Sequence, residues 1–359
     1  MRLLSASIIA SLFSVVAALA EPIAVTDPTG HEVKLSGPAT RMVAIPIPSS
    51  STVVALDGST RRLAGMHPLA KSAIRAGILG AFFPEAEDIP SNIINNASSE
   101  GFAPNVEAIA ALRPDLVVQW GDADKDIIAP LENAGLTTGL ILYGTEEKAR
   151  AIINFLGDVT GNAEKAAALV RWRDETLAKI RPKVLDLPEK KRPRILYLVQ
   201  AKSSFRASGK DSYNDFYIDL VGGVNAAAEL TGIKSVNAEQ IAAWNPDVIL
   251  LNGFEDDLDL TAIYGNFILS ETAAAKTKRV YKMPIGGYRW DPPSQESPLT
   301  WMWLADLIHP EIFDFNIRAE IASSYQRIYG HAPSSEQVDA ILRMPMNGGS
   351  AGYSHFASD

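Results

Sequence analysis

The amino-acid sequence predicts an α/β protein of two doubly wound, Rossmann-like lobes joined by one long α-helix. Three observations carry that expectation. Short, continuous apolar runs alternate with helical patterns, as parallel strands covered on both faces do. An eighteen-residue segment recurs once, 132 residues further on. Between its two copies lies a long stretch of good helix formers without Gly or Pro.

The elements follow in order. Arg2, an apolar or small run over residues 3–19 and the site Ala18-Leu19-Ala20 have the pattern of a cleaved secretory signal peptide over residues 1–20. A membrane anchor is the alternative, for which the run is at the short edge of a span. Buried strands are predicted at 41–46, 116–118, 139–143, 195–199 and 248–251. A helix is predicted over 146–156, an interruption at 157–162, and a second helix over 163–179 that serves as a stiff strut. Residues 185–194, rich in proline and basic side chains, read as the linker that leaves it. Residues 301–342 are helical again, and 343–359 form a loose tail. The expected division is a first lobe at 21–145, a linking region at 146–185 and a second lobe at 186–342.

The repeat sets the architecture. Residues 105–122 read NVEAIAALRPDLVVQWGD and residues 237–254 read NAEQIAAWNPDVILLNGF, with eight of eighteen positions identical. Each copy has a capping Asn, a short helix, a Pro-Asp stop and a strand. An offset of 132 residues is too long for a solenoid, so each copy belongs to its own lobe.

Composition excludes several classes. Of 359 residues, 47% are apolar and 21% charged, which is ordinary for a globular chain. With 33 basic and 42 acidic residues, the net charge is −9, and no nucleic-acid partner is expected. The chain has no cysteine, so disulfides, thiolate metal sites, thiol nucleophiles and a lipidated N-terminal Cys are excluded.

Enzyme signatures are weak. Gly348-Gly349-Ser350-Ala351-Gly352 matches G-x-S-x-G but follows no strand. There is no H-E-x-x-H and no P-loop, and His31, His67, His309, His331 and His355 are scattered. No catalytic residue, metal site or cofactor is expected.

Ligands of open α/β sheets sit beyond the C-terminal ends of the strands, so the loops there supply the candidates. Trp120 directly follows a strand, where the second copy of the repeat has Asn252. Phe205 and Arg206 close the loop after residue 199. Gly286-Gly287-Tyr288-Arg289-Trp290 sets a planar, five-donor cation between two aromatics, which suits a large planar or anionic chelate. Packing residues and a surface pair of Arg289 with Asp291 or Glu296 are the alternatives. Ser49 and His67 occupy comparable loops of the first half.

The ordered set of motifs resembles a known family. Thr26-Asp27-Pro28-Thr29-Gly30-His31-Glu32-Val33 followed by Arg41-Met42-Val43-Ala44, the Asn105 element and Val221-Gly222-Gly223-Val224-Asn225 are similar to segments of the helix-linked (class III) periplasmic binding proteins. These deliver ferric siderophores, haem and cobalamin to ABC importers. The resemblance implies two lobes bridged by a helix with the ligand in the cleft between them. It also implies an aromatic ligand contact at Trp120, and an acidic residue on each lobe that pairs with arginines of the inner-membrane permease. Asp122, Asp124 and Asp126 follow the first copy of the repeat, and Glu255, Asp256 and Asp257 the second. A solvated turn and a calcium loop are the other readings of these clusters.

The expectation is therefore a monomeric periplasmic binding component of an ABC importer, without a lipid anchor. Arg206 and Arg289 point to an anionic, iron-containing chelate, a ferric siderophore ahead of haem or cobalamin. An exported α/β enzyme and a binder of an oxyanion such as molybdate are the alternatives.

Overall fold

The structure is a computed structural model that describes residues 21–95 and 102–358, so the expected signal peptide at 1–20 lies outside the described residues. The chain opens on an antiparallel hairpin, β1 (Ile23–Thr26) and β2 (Glu32–Leu35). The Asp27 carboxylate closes its turn by accepting from the backbone N–H groups of Thr29 and His31. Its second oxygen accepts from Leu140 N at 2.8 Å and docks the hairpin on the first lobe.

The first lobe is a parallel sheet of β3 (Met42–Ala44), β4 (Leu63–Met66), β5 (Leu116–Trp120) and β6 (Thr138–Ile141), in the order β4-β3-β5-β6. Alternate residues of β3 face two cores, Met42 and Ala44 one way and Val43 the other. That is why its sequence is apolar throughout. Winding reverses between β3 and β5, which opens a crevice beyond their C-terminal ends.

The second lobe contains β7 (Arg194–Gln200), β8 (Phe205–Ser208), β9 (Val224–Asn225), β10 (Ile233–Val236), β11 (Val248–Leu251) and β12 (Val280–Lys282). β9, β7, β11 and β12 are parallel, while β8 and β10 add antiparallel strands on the β7 side. Winding reverses between β7 and β11, as it does between β3 and β5.

The repeat supplies β5 and β11. Asn105 caps helix Val106–Ala111 by accepting from Ala108 N, and Asn237 caps helix Ala238–Trp244 by accepting from Gln240 N. The Asp of each Pro-Asp stop pins the neighbouring strand. The Asp115 carboxylate accepts from Arg41 N at 3.0 Å, just before β3, and that of Asp247 from Arg194 N at 2.8 Å, at the start of β7.

Helices Glu146–Thr160 and Ala163–Val184 connect the lobes. The first runs four residues beyond its expected end. Gly157 is inside it, where the backbone presses on Ala166 of the second helix, and it stops at Gly161 with φ +72°. The second has 22 residues, about 33 Å at 1.5 Å per residue. Helix Ser297–Ile308 is buried along its whole length and joins both lobes and the linker in one core.

The tail is not loose. The Asn347 side chain accepts from Lys282 N at 2.8 Å and donates to Lys282 O at 2.9 Å. Tyr353 is fully buried and donates to Leu342 O, and Tyr281 donates to Ala351 O. The segment covers the edge strand β12, whose backbone groups would otherwise face solvent.

Candidate functional site

The first lobe's wall lies at the C-terminal ends of β3, β4, β5 and β6. After β3 the chain passes through Pro46 into helix Ile47–Asp57, whose start has no side-chain cap and no acidic residue. Ser49 and Ser50 are fully buried there, and neither Oγ has a hydrogen-bond partner. The next two hydroxyls, of Ser51 and Thr52, both donate to Pro48 O.

His67 follows β4 and is 2% exposed. Its Nδ1 accepts from Leu69 N at 3.0 Å, which starts helix Pro68–Ala76 and places the ring proton on Nε2. Burial lowers its pKa to about 4, so the ring is neutral. From His67 an aromatic row runs along the strand ends. Its ring lies 5.1 Å from Phe102, Phe102 5.6 Å from Trp120, and Trp120 5.6 Å from Tyr143. The buried Nε1 of Trp120 has no partner. A cavity of 540 Å³ opens in front of Phe102, Trp120 and Tyr143.

The second lobe's wall is the loop after β12. Gly286 and Gly287 are packed so closely on the Tyr325 and Tyr329 hydroxyls that a Cβ at either would clash. Glu296 fixes this loop. One carboxylate oxygen accepts from Gly287 N at 2.9 Å and from the Tyr329 hydroxyl. The other accepts from Trp290 Nε1 at 2.9 Å and from the Tyr325 hydroxyl at 2.6 Å. Burial raises the Glu296 pKa, and the same donors oppose it.

Trp290 is fully buried in this cluster, which corrects the expectation that it contacts ligand. Two glycines before an aromatic suggested an exposed loop, whereas they let the Trp descend into the core.

Arg289 is 7% exposed. Its Nε donates to Gly253 O at 2.9 Å, its guanidinium lies 5.0 Å from the centre of the Phe254 ring, and its NH2 lies 4.0 Å from the Asp256 carboxylate. Asp291 grips the same glycine from the other side. Its Oδ2 accepts from Gly253 N at 2.9 Å and from the Tyr197 hydroxyl at 2.6 Å, while its buried Oδ1 has no partner. The Gly of the repeat is thus the seat of the Arg289 loop. Tyr288 is also buried, 3% exposed.

The two walls touch. The Tyr143 hydroxyl donates to Pro293 O at 2.5 Å and Ile78 N to Gly286 O at 3.1 Å. Arg173 of the linker, fully buried and paired with Glu146, donates to Ser294 O at 2.6 Å.

Other candidates sit elsewhere. Phe205 packs on the outer face of the second sheet, in the cluster of Leu196, Leu198 and Ile249. That departs from its expected place in the cleft. Arg206 is half-buried on β8, opposite Gln200 and Ser235, with no ion pair among the described residues. Asp122, Asp124 and Asp126 are exposed, and Asp122 and Asp124 line the cavity in front of Trp120. The Glu255 carboxylate accepts from Ala201 N at 2.8 Å and from Asn252 Nδ2 at 2.9 Å, so it has a local structural task. Asp257 pairs with Lys202, and Asp256 is exposed near Arg289. Among the described residues no three His, Cys, Asp or Glu are grouped to hold a metal ion. Ser350 of the G-x-S-x-G match is buried and donates to Val280 O, in a turn rather than at a strand-to-helix elbow.

Sequence reasoning passed over Tyr143 and Phe102. Tyr143 closes a predicted strand, so the rule that found Trp120 also reaches it.

A family model described as periplasmic binding protein matches residues 98–285, more than half of the chain. A molybdate-binding protein of Haemophilus influenzae is 25% identical over 248 residues, which are 63% of this chain and 70% of that protein. A cobalamin-binding protein of Halobacterium salinarum is 26% identical over 232 residues, and the match spans 60% of each chain. The crystal structure of a periplasmic solute binding protein from Veillonella parvula superposes with a TM-score of 0.83 at 32% identity, covering 92% of this chain and 99% of that one.

Proposed function

The chain belongs to the periplasmic binding protein family, and on that premise we propose that it captures an anionic ligand between its lobes for an ABC importer. Solute-binding proteins of this family bind and release rather than catalyse, and they hand their ligand to a membrane permease. Among the described residues no helix is long and apolar enough to cross a membrane. Export by the leader at residues 1–20 into the periplasm, without a lipid anchor, is part of the proposal.

One observation carries the charge of the ligand. Arg289 is buried, yet only its Nε has a hydrogen-bond partner among the described residues. Its terminal N–H groups face one carboxylate, that of the exposed Asp256 at 4.0 Å, and have donors left for a further acceptor that carries negative charge. A ferric siderophore and a free oxyanion both supply one. The direct contacts between the lobes at Tyr143–Pro293 and Ile78–Gly286 favour the smaller ligand. So does the likeness to a molybdate-binding protein.

Titration of the mature protein with molybdate, a ferric tris-catecholate siderophore and a neutral corrinoid, followed by tryptophan fluorescence, tests the proposal. Saturable binding of one of the anions supports it. Preference for the corrinoid overturns it.

A further inference from the structure

We infer that the first turn of helix Ile47–Asp57 is an oxyanion cradle, in which the Ser49 and Ser50 hydroxyls, at the positive end of the helix, bind the ligand's negative oxygens. The inference rests on the anionic ligand proposed above and assigns the part of the first lobe that holds it.

Position comes first. The turn stands where winding reverses between β3 and β5, at the C-terminal ends of the strands. Trp120 stands at the end of β5, on the other side of the same crevice. The helix has 11 residues, so its aligned peptide dipoles concentrate positive potential at this end. The first turn has no side-chain cap and no acidic side chain. Pro48 has no N–H and the Ser49 N–H is taken by Pro46 O at 3.0 Å, so the side-chain hydroxyls are the donors this turn has to offer.

The hydroxyls are the independent observation. Ser49 and Ser50 are both 0% exposed, and both Oγ atoms lack a partner. Buried hydroxyls are ordinarily bonded, as Ser51 and Thr52 beside them are. Helical Cα–Cβ bonds tilt toward the N-terminus, which leans both side chains toward the start of the helix. The Trp120 indole N–H is a third buried donor without an acceptor.

This wall therefore offers neutral donors, and a ligand rich in acceptors completes it. The class is an oxyanion: either a free tetrahedral ion, or an anionic oxygen arm of a ferric chelate. Arg289 supplies the full charge from the opposite lobe.

The test is calorimetric titration of the mature protein with sodium molybdate, sodium sulfate and a ferric tris-catecholate. The variants are Ser49→Ala, Ser50→Ala, the double variant and Arg289→Ala. Each Ser→Ala change removes an unsatisfied buried polar atom, so the ligand-free thermal midpoint is expected to hold or rise. Affinity for the anion that binds is expected to fall at least tenfold in the double variant. A fall with molybdate or sulfate identifies a free oxyanion, and a fall with the siderophore alone identifies a chelate arm. If the double variant binds within twofold of wild type while Arg289→Ala loses tenfold or more, the cradle is wrong and the anionic-ligand reading stands. If wild type binds none of the anions, both fall.

Discussion

The hydroxyl of Tyr143, at the end of the first lobe's sheet, donates to the carbonyl oxygen of Pro293 in the second lobe at 2.5 Å. This bond crosses the cleft at the strand ends and shares the loop of Arg289 and Glu296. With the Ile78–Gly286 bond and the Arg173–Ser294 bond, it ties that loop to the first lobe and to the linker. One long helix pair also resists rotation more than flexible strands would. Solution scattering is expected to show only a small change in radius of gyration on ligand binding. Tyr143→Phe leaves the Pro293 oxygen unpaired and is expected to cost about 1–3 kcal/mol. A closure of tens of degrees in the wild-type protein contradicts the strut.

Glu296 accepts four hydrogen bonds and ties the Gly287–Trp290 loop to helix Ile317–Tyr329. Glu296→Gln replaces an acceptor oxygen with a donor and sets it against at least one hydroxyl or N–H. Each donor left without an acceptor in this buried site costs about 1–3 kcal/mol. Urea unfolding is expected to show that loss, together with weaker ligand binding as the Gly286–Arg289 loop relaxes. Unchanged stability contradicts the clamp.

Carboxylates in the loops after β5 and β11 are expected to dock the permease. Neutralising Asp126, or Asp257, should impair uptake in cells and leave ligand affinity intact, because rim charges set encounter and orientation. Asp122 and Asp124 line the cavity at Trp120 and Asp256 lies 4.0 Å from Arg289, so their neutralisation would touch the ligand site as well. Glu255 is left out because its carboxylate holds the turn at Ala201. An equal loss of ligand affinity contradicts docking and places the clusters in the cleft.

His67 gives a pH signature. Its folded pKa, about 4, lies below its ordinary value of 6.5. Between these values the unfolded chain binds more protons than the folded one, so this group lowers stability as pH falls from 6.5 to 4 and adds nothing further below. His67→Asn keeps an acceptor for Leu69 N and cannot take up a proton. Wild type is expected to lose stability relative to the variant across that window in urea titrations. Parallel curves contradict the neutral, buried imidazole.

Buried strands were legible because apolar runs have one economical fate in a parallel sheet. The repeat announced both lobes, and its Asn and Asp positions turned out to be caps and strand pins. β10 was not legible, since Ile233, Lys234 and Ser235 are exposed and carry no apolar pattern. The tail was misread because its Gly, Ser and Asn side chains resemble a loop, yet they bond the backbone of β12. Trp290 was misread for a related reason. Two of the partners that bury it, Tyr325 and Tyr329, lie more than thirty residues away, and local sequence does not record them. The loop of Ser49 and Ser50 was legible from its place after a strand, but only the packing shows that these hydroxyls are unpaired while that of Ser51 is bonded.

The central claim is that Arg289 holds an anion between the lobes. Native mass spectrometry of the protein purified from the periplasm of its own host, as wild type and as Arg289→Ala, tests it most directly. Loss of charge-assisted bonds in a partly desolvated cleft costs about 1.5–3 kcal/mol, or about ten- to a hundredfold in affinity. The wild-type protein is expected to carry a bound mass equal to an oxyanion or an anionic ferric chelate, and the variant to have lost most of it. A neutral ligand in the wild type, or equal occupancy in Arg289→Ala, contradicts the account.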